Sequence, residues 1–404
     1  MKLREMNTTA YSAAQMLFLL GVFLKQFYLF SSGGFQLGDF CFMGSFLIVL
    51  MFVLRFKLPL GESDGLILGF VGCVVLINII YIGIYGNDYP GEFRFHLSIV
   101  YYVYNLFIIL TFRQFCSDVE FLKRVRLCFQ AALLFQLFVA FAGLGRFGSM
   151  RYTGTFNDPN QCGFYVLASF LMIFIISNIN KEGHLLLWFV IAFYLIMRTV
   201  STGMMLGLGV LMIAYIFLKI SEINEKSATV FLVISIGILL LFILYGTGIL
   251  SIPSSISSTT MYRRIILKFW SFGVGTNGVR TGGLRNLFID RCWDRLLDYP
   301  WKILYGAGEG YHNRFPSARY TNNEIHSSIL GPLFYYGIIP CSIWFTWTIK
   351  QLKDIKRELW VAYIALMIES ITLVNNRQPF FWMIFVIAGS CLAKKSYQIE
   401  EPKE

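Results

Sequence analysis

Apolar runs of about 17–22 residues recur along the whole of this sequence, and each is long enough to cross a hydrocarbon core roughly 30 Å thick. In lipid every backbone polar group must be satisfied internally, so runs of this kind specify helices. Composition agrees. Of 404 residues, 56% are hydrophobic, 17% aromatic and only 14% charged, against roughly 25% charged in soluble domains. The expectation is an all-α polytopic membrane protein with about twelve transmembrane helices and one large extracytoplasmic loop containing short amphipathic helices. The spans fall near 10–30, 38–54, 66–84, 96–112, 127–144, 161–178, 184–198, 201–218, 229–247, 326–349, 359–375 and 379–393. Residues 1–248 then hold the first nine helices, 249–325 the loop, and 326–404 the last three helices and a cytoplasmic tail. The first apolar run lacks a small-residue cleavage site, so no cleavable signal peptide is expected.

Lys/Arg placement gives an orientation. One set of connections carries Lys2 and Arg4, Arg55 and Lys57, Arg113 and Lys123 to Arg126, Lys181, Lys219, Lys350 to Arg357, and Lys394 onward. The short connections on the other side carry only Arg94, Arg146, Arg151, Arg198 and Arg377. The positive-inside rule therefore places both termini in the cytoplasm. The run 185–218 is interrupted only at 198–203. A single helix over it would be about 50 Å long, so a tight outer hairpin is expected. The eight Cys form no CxxC pair, and neither zinc nor a disulfide framework is expected.

The interval 249–324 departs from this pattern, with ten Lys/Arg against five Asp/Glu. Long loops are exempt from the positive-inside rule, so it can lie outside. The net charge of +11 fits anionic lipid and an outer anion site, and no nucleic acid is expected. From Phe288 to Asp298 the apolar spacing is helical, with Asp and Arg alternating on the charged face. This reads as an amphipathic helix on the membrane or capping the bundle, flanked by Gly/Pro-rich hinges, like a lid. Gly306, Gly308 and Gly310 lack the context of a nucleotide-binding loop and read as a flexible turn.

Few residues carry chemistry. His326, where the basic loop re-enters the membrane, can act as general base near neutral pH or hold an anion, or be a plain interfacial histidine. Arg151 precedes a turn containing Gly154, Asn157, Asp158, Pro159 and Asn160. Such a turn can offer backbone N–H groups, and an Arg can grip phosphate bidentately. The alternative is an ordinary helix start. Lys25 and Glu369 are ionisable residues inside spans, which are functional candidates by default. For Lys25 the alternative is snorkelling to the interface, and for Glu369 a structural hydrogen bond.

Four stretches resemble the O-antigen and capsule polymerase/ligase superfamily, the Wzy-type polymerases and their ligase relatives. They are Phe27 to Asp39, Arg151 to Asn160, Tyr299 to Gly310, and His326-Ser327-Ser328-Ile329-Leu330 running to Pro340. The resemblance implies a glycan donor on undecaprenyl pyrophosphate and, as acceptor, a sugar hydroxyl of another lipid-linked repeat unit. It implies His326 as base or orienting partner, with Arg151 as a second catalytic residue. Arg280, Arg285, Arg291 and Arg295 would hold the pyrophosphate, with Arg198, Glu369, Asn157 and Asn160 as further substrate contacts. No cofactor, nucleotide sugar or metal is called for. A chain-length regulator protein is a further expected partner, and the bacterial inner membrane the expected location. Members often carry a Ser-Arg-Gly-like turn where this chain has Ser201-Thr202-Gly203, and Arg198 stands in for that arginine. Two alternatives remain open at this point. A sister ligase would pass the glycan to lipid A core, and a flippase or transporter would show inverted repeats and broken midplane helices.

Overall fold

A computed structural model describes residues 8–30, 35–56, 63–86, 93–147, 151–223, 288–318 and 323–394, with single positions between 226 and 237. The apolar runs fold as helices: α1 (Thr8–Leu24), α2 (Leu37–Phe56), α3 (Asp64–Tyr85), α4 (Phe95–Phe115), α5 (Val119–Phe141), α6 (Pro159–Asn180), α7 (Leu185–Thr199) and α8 (Thr202–Ile223). Short loop helices α9 (Asp294–Asp298) and α10 (Lys302–Tyr305) follow. Then come α11 (Leu330–Tyr336), α12 (Ile338–Leu352), α13 (Trp360–Thr372) and α14 (Pro379–Ala388). The sheet content among the described residues is one two-residue hairpin, β1 (Arg146–Phe147) with β2 (Arg151–Tyr152).

The chain is an all-α membrane protein. Among the described residues five helices, α3, α4, α5, α6 and α8, are long and apolar enough to cross a membrane. The ninth expected span lies mostly outside the described residues. The tenth is not one helix. Residues 326–329 are irregular, and Gly337 (φ +81°) breaks the chain between α11 and α12. At φ +81° a Cβ would be strained, which is why glycine sits there. α12 has 15 residues, about 22 Å of helix, less than a full crossing.

The helix ends follow from local chemistry. Asp118 accepts from the N–H groups of Glu120 and Phe121 and starts α5. Asp158 does the same for Asn160 and Gln161 at α6, where Pro159 supplies a preset φ at the first position. The expected hairpin between α7 and α8 is present. Val200 makes the turn with φ +52°, a conformation that strains a β-branched residue.

α6 is the axis of the bundle. Its membrane-length window is 94% buried, against 28% for α3 and α8. It packs on α5, α7, α8 and α14. α1 and α2 form a close pair because Gly38 lies against the Gly21 carbonyl and the Lys25 backbone, the small-residue contact that lets membrane helices approach.

The connections gather at two ends. At one end Arg113 binds Asp64 and Ser63, Gln351 binds Ser63, Arg126 pairs with Glu182, and Lys394 donates to the carbonyls of Gln351 and Lys353. The other end, called the loop end below, collects residues 25–30, 35–39, 93–95, 145–147, 151–160, 199–203, 288–318, 323–328 and 372–378.

The segment from Phe288 differs from the single amphipathic helix expected. Cys292 turns at φ +54°, and α9 covers only Asp294–Asp298. Cys292, Trp293, Asp294 and Arg295 are buried, while Leu297 is 69% exposed. Asp294 and Arg295 turn inward because the loop itself supplies their partners, while Asp298 stays exposed. Asp294 accepts from the Ser317 hydroxyl (2.8 Å) and the Ala318 N–H (2.8 Å). The Gly306–Gly310 stretch is likewise packed rather than loose. Ala307 is fully buried, and a Cβ on Gly308 (φ +68°) would come 2.5 Å from the Tyr81 ring.

Candidate functional site

His326 lies in an irregular stretch pinned on both sides. Its N–H donates to the Arg291 carbonyl (3.0 Å), and its own carbonyl accepts from the Trp293 indole (3.3 Å). One residue earlier, the Ile325 N–H donates to the Tyr335 hydroxyl (2.9 Å). Two residues later, the Ser328 N–H reaches the carbonyls of Ser370 and Leu373 (2.8 Å each), and the Asn375 N–H donates to its hydroxyl (2.7 Å). The Ser327 hydroxyl takes the N–H groups of Ile329 and Leu330 and starts α11. The backbone is thus fixed, and the half-buried imidazole makes no hydrogen bond among the described residues. Burial lowers its pKa below the ordinary 6.5, and Arg291 adds to this against the opposing pull of Glu324. The ring is held neutral at neutral pH and can accept a proton.

Arg291 sits beside it. One terminal nitrogen donates to the Thr372 carbonyl (2.7 Å), while its Nε–H is buried without a hydrogen-bond partner. An unmade buried donor costs about 1–3 kcal/mol, which an anionic oxygen would recover. Burial lowers its pKa, with Asp290 opposing. Arg295 is almost wholly buried and donates to the Asn323 carbonyl. Arg280 and Arg285 lie outside the described residues.

Arg151 belongs to a second cluster. The hairpin pairs Phe147 with Arg151 and Arg146 with Tyr152. Arg151 Nε donates to the Thr199 carbonyl (2.9 Å) and Nη2 to Asn160 Oδ1 (3.1 Å). The Ser201 hydroxyl donates to the same Asn160 oxygen (3.0 Å). Asn160 therefore links the start of α6 to the α7–α8 turn. Asn157 is exposed and donates to the Phe30 carbonyl (3.0 Å). Arg198 lies over the Tyr194 ring at 5.9 Å. A glycine contact joins the two clusters. Gly203, at the start of α8, packs so closely on Thr372 that a Cβ would come 2.7 Å from its hydroxyl. The Thr372 carbonyl is the one that holds Arg291. Arg151 and Arg291 thus flank one contact between α8 and the end of α13. Glu369, one turn earlier on α13, is fully buried and accepts from the Asn375 amide (2.6 Å), with its second oxygen unpartnered.

Two groupings were not foreseen from sequence. The first is centred on Arg377, which pairs with Glu309 and with Glu324 (2.7 Å). Its guanidinium also lies 4.3 Å from the centre of the Phe93 ring. Glu309 accepts from the Tyr336 hydroxyl, its N–H donates to Asn78 (2.9 Å), and its carbonyl accepts from Ser98 (2.9 Å). Burial alone would depress the Arg377 pKa, but Glu324 and Glu309 hold it well above its ordinary value. Burial would raise Glu324, and Arg377 and the two nearby histidines bring it below 4.5. Beside this group His312 stacks on Phe93 and is held neutral by burial, at a pKa of about 3. The second grouping explains Lys25. It does not snorkel, because Asp39 takes its ammonium at 2.6 and 2.8 Å, and Tyr104 and the Gln36 N–H complete the carboxylate. The available signals were an acid inside a glycine-rich stretch and a lone Arg in a short turn between apolar runs. Neither names its partner.

No protein-family model matches this chain, and no curated protein matches it in sequence.

Proposed function

We propose that the protein extends a surface polysaccharide by passing a glycan from undecaprenyl pyrophosphate to a sugar hydroxyl of another lipid-linked repeat unit. The observation that carries this reading is the pairing of His326 with Arg291. A backbone hydrogen bond fixes a neutral base next to a guanidinium with an unmade buried donor. In this reading the acceptor oxygen attacks the anomeric carbon and its proton passes to the His326 ring. The bond from that carbon to the pyrophosphate oxygen breaks, and Arg291 and Arg151 stabilise the departing charge. The arginines supply the charge that a metal supplies elsewhere, so turnover persists in EDTA. The loop end faces away from the cytoplasm of a bacterial inner membrane, with about twelve spans and both termini cytoplasmic.

Deleting the gene and examining the surface glycan tests this. A polymerase loss leaves a single capped repeat unit. Long chains persisting after deletion sink the reading. Loss of all capped product with accumulated lipid-linked polymer would identify a ligase, and single units trapped inside a flippase.

A further inference from the structure

His326 has neighbours of opposite charge. On one side its N–H rests on the Arg291 carbonyl, and the Arg291 guanidinium keeps a buried donor unmade. On the other side is Glu324, two residues earlier, across a wholly buried Ile325. The imidazole feels both charges. The transfer reaction above uses Arg291 and leaves Glu324 without a role.

Glu324 differs from the other carboxylate on Arg377. The Glu309 side chain is 4% exposed and uses both oxygens inside the fold, one on Arg377 and one on the Tyr336 hydroxyl. The Glu324 side chain is 25% exposed and gives Oε2 to Arg377 (2.7 Å). Among the described residues its Oε1 makes no hydrogen bond. One guanidinium against two carboxylates leaves this group net negative, and Glu324 is its open end. Aromatic rings stand beside it. The half-buried Tyr101 ring lies 6.4 Å from that of Phe93, with the planes 9° apart, and Arg377 sits over both. The charges of Arg377 and Glu324 also reach the Tyr101 hydroxyl.

A sugar ring suits these surroundings. Its hydroxyls donate charge-assisted bonds to a carboxylate, its C–H face lies on an aromatic ring, and the negative charge turns phosphate away. Donor and acceptor in the transfer reaction both carry a pyrophosphate. A site that takes hydroxyls and repels phosphate therefore decides which end of the acceptor enters. We infer that Glu324 binds the acceptor, its Oε1 taking a sugar hydroxyl next to the one that His326 deprotonates. This rests on the transfer reaction for the identity of the ligand. It divides the site into a cationic donor side at Arg291 and an anionic acceptor side at Glu324.

The acceptor probe is the repeat-unit oligosaccharide released from its lipid by mild acid and capped as a methyl glycoside. Its binding to the full chain in detergent is measured by calorimetry without donor. Its KM is measured in vesicles with saturating lipid-linked donor. Glu324→Gln keeps the shape of the side chain and leaves Arg377 paired with Glu309, so folding is preserved. It should weaken oligosaccharide binding and raise acceptor KM about tenfold, the difference between a charge-assisted and a neutral hydrogen bond. Donor KM and melting temperature should stay unchanged. An acceptor lacking the hydroxyl beside the growth position should lose affinity for the wild type and lose much less for the variant. A lowered melting temperature with both acceptors treated as in the wild type would make Glu324 purely structural and overturn the assignment. Transfer with an unchanged acceptor KM in the variant removes Glu324 and leaves the reaction. Binding that depends on Glu324 without any transfer removes the reaction and leaves a glycan site. Neither binding nor transfer overturns both.

Discussion

Arg291 and Arg377 both lie close to His326, one through a backbone hydrogen bond and the other through Glu324 two residues earlier, yet their surroundings are opposite. Arg377 meets two carboxylates, and its charge is neutralised where it stands. Arg291 meets a neutral carbonyl and keeps a buried donor unmade. The lesson is that a count of basic residues in the 249–324 interval does not locate an anion site. A guanidinium that closes an ion pair holds the fold together. One that rests on a carbonyl retains charge for a ligand. By this criterion Arg291, next to His326, fits the proposed anion site, and Arg377 belongs with architecture.

The largest effect should come from the base that the two arginines flank. His326→Ala is expected to slow transfer by about 10²–10⁴-fold with the melting temperature unchanged, measured as chain growth on vesicles. The sign of the pH dependence follows from the depressed pKa. The neutral form persists as pH falls through 6.5, so the rate holds there and declines only in more acidic buffer. A rate that already halves at pH 6.5 would contradict a buried neutral base.

Arg377→Ala comes next. It strands Glu309 and Glu324, and removing one partner of a buried pair costs about 3–5 kcal/mol. Thermal unfolding in detergent should show the loss, and adding Glu309→Gln with Glu324→Gln should restore part of it. A stable Arg377→Ala protein with weakened donor binding would invert the assignment of the two arginines. Arg291→Ala should behave in the opposite way. Stability stays near wild type while donor affinity falls about 10- to 100-fold, the equivalent of one charge-assisted hydrogen bond.

The last effect is read in pH and concerns His312, beside Arg377. Its folded pKa of about 3 against an ordinary 6.5 means the unfolded chain binds a proton that the folded chain refuses. Stability therefore declines as pH falls below 6.5, by about 1.4 kcal/mol per pH unit. Glu324, with its depressed pKa, adds its own loss only below 4.5. His312→Gln should reduce the slope between 6.5 and 4.5, leaving the smaller contribution of His326, whose pKa burial also lowers, and the acid limb.

Helix positions were largely legible, because a run such as 161–178 is apolar on every face and can only be a buried helix. The structure extends it to Pro159–Asn180. The run 127–144 was placed too late. The Lys123, Arg124 and Arg126 turn hides the true start at Val119, where Asp118 caps the helix. The break at Gly337 was hidden by equally apolar residues on both sides. At the site, local pattern picked out His326 and the Arg151 turn, since both are polar punctuation in hydrocarbon. It could not pair Glu309 with Arg377, 68 residues apart, nor show that Asn160 is shared by Arg151 and Ser201. Such contacts depend on which helix ends meet, and nothing in the local sequence records that.

The glycine-rich plug around Glu309 also sets an order of assembly. Its bonds reach Asn78, Ser98, Tyr336 and Arg377, on α3, α4, α11 and the turn before α14. A carboxylate cannot settle among those aromatic rings until its cation is there, and that cation lies near the end of the chain. The pair α1–α2 and the helices α5 to α7 pack largely on one another, but α8 rests chiefly on α13, and α3 packs on α12 as well as on α4, so these helices and the loop wait for the C-terminal helices. Assembly of this protein therefore closes from its C-terminal end, and a nascent chain halted before residue 377 would carry the Glu309 loop undocked.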